Sequence, residues 1–229
     1  MAIARYLAMT ADEFTSAAAI PKNIAWMACH FSAYSQGLLN LPKDLPANSL
    51  LILNDSTPPA SQDPKIVMQI LENALNQHKC FGLLLDFQRP NCTQTLAMAE
   101  ELVQMDFPVC VSSLYAEGLS CPVFLPPLPL TVPLSQYIEP WKDRKIWLDM
   151  GLTCEKITVT ENGSRSLPET DPPECPFEDK TLHCHYHIAT LEDGFCFTLQ
   201  RTKKDLDALL SEAERLGISV AVGLYQELK

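Results

Sequence analysis

Residues 80–90 read Cys-Phe-Gly-Leu-Leu-Leu-Asp-Phe-Gln-Arg-Pro. Within them Gly82–Phe87 is apolar without alternation until Asp86, and the run stops at a polar rim closed by Pro90. A strand wet on one face alternates polar with apolar residues. An unbroken apolar run suits a strand covered on both faces, as in a parallel sheet sheathed by helices. Both flanks read as helix. Upstream, Pro64–His78 places Pro at the first helical position and Ile66, Val67, Ile70, Leu71 and Leu75 on one stripe. Downstream, Thr93–Met105 repeats the pattern with Leu96, Ala97, Ala99, Leu102 and Val103. A strand between two helices implies βαβ units.

Further runs of the same kind occur at Ile24–His30, Leu50–Leu53, Val109–Ser112, Val123–Leu125, Ile146–Met150 and Val220–Leu224. A third helix, Thr202–Leu216, is expected from the Thr202 cap, Asp205 in its first turn and the stop at Gly217. Parallel-strand runs with short connections predict a small (β/α)8-type barrel, with an open doubly wound parallel sheet as the alternative. Setting aside the block 151–200 leaves fewer residues than the ~200–250 of an ordinary barrel, so the barrel is expected to be incomplete. Cys110 to Cys121 has no room for a helix, and none is expected after Val220–Leu224. The eighth strand comes from Ala2–Leu7 or from one of the strands of the block.

The block 151–200 reads differently. Lys156–Thr160 meets Glu161-Asn162-Gly163, and Asn-Gly is a strong hairpin signal. His183–Ala189 and Phe195–Leu199 flank a second such turn, Glu192-Asp193-Gly194, and a Pro-rich polar stretch, Ser166–Glu178, lies between the hairpins. The expectation is one domain over 1–229, with 151–200 as an antiparallel insertion.

Composition narrows the function classes. The net charge is −11, with 47% hydrophobic and 20% charged residues. A full core with an acidic surface argues against nucleic acid and anionic membrane surfaces as partners. Neither Gly-x-Gly-x-x-Gly nor Gly-x-x-x-x-Gly-Lys occurs, and no cofactor is expected. Arg5, Asp12 and Glu13 break the N-terminal apolar stretch, so a signal peptide is not expected. Nine cysteines, an odd number without Cys-x-x-Cys, fit reduced thiols and a cytoplasmic location. Composition leaves the oligomeric state open.

In a parallel barrel, function collects at the C-terminal ends of the strands. Those ends carry His30, Asn54, Asp55, Asp86, Gln88, Arg89, Ser112, Ser113, Asp149, Tyr225, Gln226 and Glu227. Tyr34 and Tyr225 lie just beyond apolar runs, where a ring can stack on a sugar. Asp86, Glu227 and Asp55 are the candidate catalytic carboxylates. Gln88, Arg89, Tyr34, Tyr225, His30 and Asp149 are the candidate substrate-binding residues.

Cys80–Gln88 resembles the fourth-strand signature of the chitinase-like family 18 glycoside hydrolases, Asp-Gly-x-Asp-x-Asp-x-Glu with an aromatic residue commonly before the Glu. Gly82 matches the Gly, Asp86 the last Asp and Phe87 the aromatic residue. Leu134–Trp141 leading into Lys145–Leu148 is similar to the approach to that family's seventh strand, and an antiparallel insertion follows there in many members. Phe195–Leu199, the helix opening at Thr202 and Gly217–Leu224 resemble the segment that closes the family's barrel, with Tyr225 near its last-strand Trp.

The departures bear on chemistry. The resemblance implies a general-acid Glu, with the substrate's N-acetyl group as nucleophile held by an adjacent Asp. Here the Glu position is Gln88, the inner Asp position Leu84 and the first Asp position Phe81. An amide has no proton to give, so that step cannot run through Gln88. The resemblance therefore implies a barrel that binds an amino-sugar or related glycan with weak or no hydrolysis. Two readings from other classes stand beside it. One is an acidic protein-interaction scaffold docking through 151–200. The other is a hydrolase that uses Asp55, Asp86 or Glu227 by a different mechanism.

His183, His185 and His187 alternate, which would place them on one strand face about 6.6–7 Å apart in succession. His183 and His185 are the metal-ligand candidates, needing a partner such as Cys175 or Glu178. An exposed polar face is the simpler reading, and no metal is expected.

Overall fold

The computed structural model describes residues 2–229. Its strands are β1 (Ala4–Met9), β2 (Ile24–Phe31), β3 (Leu38–Leu39), β4 (Leu50–Asn54), β5 (Gly82–Asp86), β6 (Val109–Ser112), β7 (Val123–Leu125), β8 (Ile146–Asp149), β9 (Cys154–Thr160), β10 (Gly163–Pro168), β11 (Phe177–Asp179), β12 (Cys184–Leu191), β13 (Gly194–Gln200) and β14 (Val220–Leu224). Its helices are α1 (Ala11–Ser16), α2 (Pro64–His78), α3 (Thr93–Leu102), α4 (Leu134–Ile138), α5 (Lys203–Arg215) and the single turn α6 (Tyr225–Leu228). Among the described residues no helix is long and apolar enough to cross a membrane. The chain divides into two compact units.

The first unit comprises Ala4–Pro126, Trp141–Asp149 and Val220–Lys229. Eight of its strands run parallel in the order β1-β14-β8-β7-β6-β5-β4-β2, and β1 also pairs with β2 through Leu7 and Ile24. That last pairing closes the barrel and excludes the open doubly wound sheet. It also identifies the eighth strand as the N-terminal segment, because a strand at the free edge of a seven-stranded curl satisfies both exposed backbone ladders at once. β3 adds a short antiparallel pairing to β2.

The runs of Leu, Ile and Val are buried on both faces, as expected for a barrel. Tyr6, Ala25, Leu50, Ile52, Leu84, Cys110, Phe124, Trp147, Val220 and Val222 form one interior cluster. Leu83 and Leu85, buried but on the alternate parity of β5, face the outer layer. Phe81 lies at the N-terminal end, its ring 5.8 Å from Tyr6 and 5.9 Å from Trp147. A Cβ on Gly82 would fall 2.4 Å from the Pro108 carbonyl oxygen, which accepts the Leu83 N–H, so only glycine lets the two segments approach.

α2 connects β4 to β5 and α3 connects β5 to β6, whereas β6 reaches β7 through turns alone. Arg144 holds that connection by donating to the carbonyls of Ala116 (2.7 Å) and Cys121. Sequence reading found the missing helix but not the arginine that replaces it.

The second unit takes residues 2–3, Pro127–Pro140 and Met150–Ser219, so the 151–200 block folds together with α4 and α5. Its antiparallel sheet has the order β10-β9-β13-β12-β11. Both expected hairpins are present, turning at residues 161–162 and 192–193. The Pro-rich stretch between the hairpins also carries strand: β10 extends into it as far as Pro168, and β11 pairs with β12. Leu130, Cys184 and Leu199 form a small core. The buried Arg201 guanidinium is satisfied by the carbonyls of Leu128 (2.7 Å), Leu182 (3.2 Å) and His183 (3.2 Å).

Candidate functional site

The parity of the strands builds a polar layer at the C-terminal end of the barrel. Leu84 is an interior residue, and side chains two apart on a strand share a face, so Asp86 points the same way. Asp86 pairs with Asn54, and Asn54 with His30, which carries that orientation along three strands. The register shift in β2 between Trp26 and Cys29, a β-bulge, brings His30 into line with Asn54. Ser112 follows interior Cys110 by two residues, and Asp149 follows interior Trp147 by two. The aliphatic interior thus ends in His30, Asn54, Asp86, Ser112 and Asp149.

Asn54 and Ser112 serve this layer structurally. Asn54 Nδ2 donates to the carbonyls of Met27 (3.2 Å) and Cys29 (3.0 Å), bridging the bulge, and the Ser112 hydroxyl donates to the Phe87 carbonyl at 2.7 Å. Asp86 is half-buried, and Gln88 Nε2 donates to its Oδ1 at 2.5 Å. Burial raises the Asp86 pKa, the Gln88 amide opposes that shift and the Asp55 carboxylate adds to it. Asp86 is therefore an acceptor with one polar partner already in place, at the mouth of a barrel.

Asp55 is 2% exposed. Its Oδ1 accepts the Gln88 N–H at 2.8 Å and its Oδ2 the Arg89 N–H at 3.1 Å. Arg89 returns the contact by donating from Nε to the Asp55 carbonyl at 2.6 Å and from Nη2 to the Ser56 carbonyl. These bonds lash the loop after β4 to the loop after β5. Asp55 and Arg89 thereby fix the position of Gln88 and Asp86.

The remaining candidates lie differently. Tyr34 is 99% exposed, with its ring in solvent. Tyr225 and Glu227 sit half-buried on α6, which packs against β1 and β14, and Lys229 Nζ is 5.5 Å from the Tyr225 ring. His30 is half-buried with Nδ1 3.1 Å from the Ala28 carbonyl. Tyr115, which sequence reading passed over, bonds through its hydroxyl to the Cys92 N–H (3.2 Å) and the Arg89 carbonyl. A tyrosine three residues beyond a strand carries no periodic signal, so nothing in the sequence marked it.

The histidines of the antiparallel unit do not form the expected row. His183 precedes β12 and has a left-handed backbone (φ 50°), so it leaves the face shared by His185 and His187. His183 Nε2 pairs with Glu212 at 2.6 Å, and His185 Nδ1 with Asp205 at 2.9 Å. Glu178, His185 and Asp205 place one ligand atom each within 4.8 Å of one another. Asp205 Oδ2 already accepts the Thr202 N–H (2.9 Å) and hydroxyl (2.7 Å), so the group reads as the capping box of α5 with a histidine attached. The Cys175 thiol turns to the carbonyls of Pro173 (3.4 Å) and Thr198 (3.7 Å) instead.

No protein-family model matches the chain, and no curated protein matches it in sequence. Solved structures do match in shape. A chitinase-like agglutinin from Robinia pseudoacacia superposes with a TM-score of 0.61 at 10% identity, covering 98% of this chain and 95% of that one. A family 18 N-acetylglucosaminidase from Paenibacillus barengoltzii gives 0.59 at 11% identity, with 99% and 97% covered. A family 18 chitinase from Cycas revoluta, solved as a mutant in complex with (GlcNAc)4, gives 0.52 at 9% identity, with 96% and 94% covered. The chain has the fold of the family 18 glycoside hydrolases and their chitinase-like relatives, at a distance where the sequence identity is 7–12%.

Proposed function

We propose that the barrel mouth binds an N-acetylated amino-sugar glycan and hydrolyses it weakly or not at all. The observation that carries this reading is the Asp86–Gln88 pair. Asp86 offers a carboxylate oxygen for an acetamido N–H, while Gln88, at the position of the family's acid, has no proton to transfer. The bond from Gln88 holds the carboxylate in place without supplying an acid. Among the similar structures, an agglutinin and a chitinase in complex with (GlcNAc)4 are consistent with sugar binding by this shape of barrel.

Titration calorimetry with chitin oligomers and with peptidoglycan fragments tests the proposal. Wild type is expected to bind with millimolar strength and to release no product. Asp86→Ala and Tyr225→Ala should each weaken binding by about 1–3 kcal/mol, the scale of a charge-assisted hydrogen bond or a well-placed ring. Gln88→Glu should restore little activity, because Leu84 and Phe81 leave the new acid without neighbouring carboxylates to tune it. Absence of heat from every glycan, or binding indifferent to both alanine variants, overturns the proposal.

A second reading, a protein-interaction scaffold, draws on the antiparallel unit. Phe177 and Phe195 are 52% and 51% exposed there, on the same sheet face as Tyr186 and Ile188. Under this reading substitutions at Phe177 and Phe195 abolish partner capture while Asp86→Ala leaves it intact.

A further inference from the structure

Three other helices of this chain begin with an oxygen that closes the first turn: Thr10 for α1, Asp63 for α2 and Thr202 for α5. α3 begins with Cys92, in extended backbone, and no side-chain oxygen caps it. The unsatisfied N–H groups of the first turn, Gln94 and Thr95 among them, therefore face a sulfur. The Thr95 side chain faces it too. Thr95 is fully buried, yet its hydroxyl has no hydrogen-bond partner, and it lies close enough to Cys92 to donate to the sulfur once that sulfur is ionised. A buried hydroxyl without a partner is costly, and natural structures rarely tolerate one without a reason.

As a neutral thiol, Cys92 is a poor answer to these donors. Its S–H is spent on Gln94 Oε1 at 3.4 Å, and the sulfur is a weak acceptor. Loss of the proton turns the sulfur into the acceptor that the Thr95 hydroxyl and both N–H groups lack. We propose that Cys92 is a reactive thiolate, a modification site for peroxides and soft electrophiles in the loop that leaves β5. The Thr95 hydroxyl and N–H lower its pKa, against a smaller upward push from burial and from the Asp55 carboxylate, the charged group that faces it. Burial acts the other way on other thiols, pushing Cys29 up to about 12 and Cys80 up to about 11. The loop is also held still. The Cys92 N–H bonds to the Tyr115 hydroxyl, and the Asp55 carboxylate fixes Gln88 and Arg89 upstream.

With hydrogen peroxide, the sulfur attacks one oxygen, an S–O bond forms, the O–O bond breaks and the electron pair leaves with hydroxide. The sulfur becomes a sulfenic acid and the peroxide is reduced. With iodoacetamide, an S–C bond forms and iodide leaves, so the same thiolate can be timed without oxidation.

The test uses the full reduced chain, pulsed with iodoacetamide from pH 5 to 9, with the label on each cysteine followed by peptide mass mapping. Cys92 is expected to react at least tenfold faster than any other thiol at pH 7, with a rate midpoint below the ~8.5 of a free cysteine. Thr95→Val keeps the shape but removes the hydroxyl, and should raise the midpoint; Thr95→Ser should restore it. Exposure alone could make a thiol fast but would not move the midpoint. A wild-type midpoint at or above that of free cysteine, first labelling elsewhere, or a midpoint that ignores Thr95→Val overturns the proposal. If Thr95→Val does not fold, the wild-type midpoint alone decides.

Discussion

The ends of β4 and β5 lie side by side, each with a carboxylate, and the two carboxylates have opposite surroundings. Asp55 is buried with both oxygens occupied by backbone N–H groups of the neighbouring loop. Asp86, one strand over, is half-buried, faces the barrel mouth and holds one side-chain amide. A fully engaged carboxylate organises structure, whereas one with spare acceptor capacity and a raised pKa is available to a ligand. The distinction is not chemical, since both are aspartates. It comes from which direction the strand parity points each one.

The largest expected effect comes from placing a third carboxylate where nothing receives it. Leu84 lies two residues below Asp86 inside the barrel, buried among aliphatic and aromatic neighbours. Leu84→Asp should cost about 4–5 kcal/mol or prevent folding, because an unpaired charge enters the interior. Melting like that of wild type would show that β5 is not the buried strand described here. Next comes Asp55→Ala, which strands the N–H groups of Gln88 and Arg89 and should cost about 2–4 kcal/mol in denaturant unfolding, with Asp55→Asn recovering part. If Asp55→Ala is silent in stability, the lashing of the two loops is of no consequence and the contrast with Asp86 collapses.

Asp86→Ala, by comparison, should leave unfolding nearly unchanged and show its effect in glycan binding. The smallest effect is a pH dependence. Burial raises the Asp86 pKa in the folded chain, so the folded state holds that proton more tightly than the unfolded state does. Wild type therefore loses stability as pH rises from the unfolded value near 4 through the folded pKa. Asp86→Asn removes this titration, so it should be the more stable protein at neutral pH, with the gap closing below pH 4. Parallel stability curves for the two proteins across that range would contradict the raised pKa.

Much of the barrel was legible in the run patterns. Strands buried on both faces need continuous Leu, Ile and Val, and helices betray themselves through caps such as Asp63-Pro64 and Thr202 with Asp205. The Asn-Gly and Asp-Gly turns marked both hairpins: Gly163 takes a positive φ (122°), and at Gly194 a Cβ would fall 2.0 Å from the Val159 carbonyl oxygen. The site was legible only as a set of strand ends. Reading could say that Asp55, Asp86 and Gln88 share a rim, but not that Asp55 faces the backbone of the next loop, since that depends on where two loops meet. β11 escaped notice because the prolines and exposed polar residues of 166–178 carry no strand pattern, although its partner β12 is the next strand in the chain. His183 misled because the residues alternate in sequence while its left-handed backbone takes it off the strand.

Local order, then, was set by the chain alone: the apolar runs, the caps, the tight turns and the replacement of an acid by Gln88 are each properties of a few consecutive residues. Closure was decided in three dimensions. Whether Ala4–Met9 ends the sheet or joins it depends on pairing with β14 and β2, segments at opposite ends of the sequence. The same holds for the two aspartates and for Thr95, whose hydroxyl the fold buries without a hydrogen-bond partner. Burial and hydrogen-bond satisfaction are properties of neighbours brought together across long loops, and no window of sequence contains those neighbours.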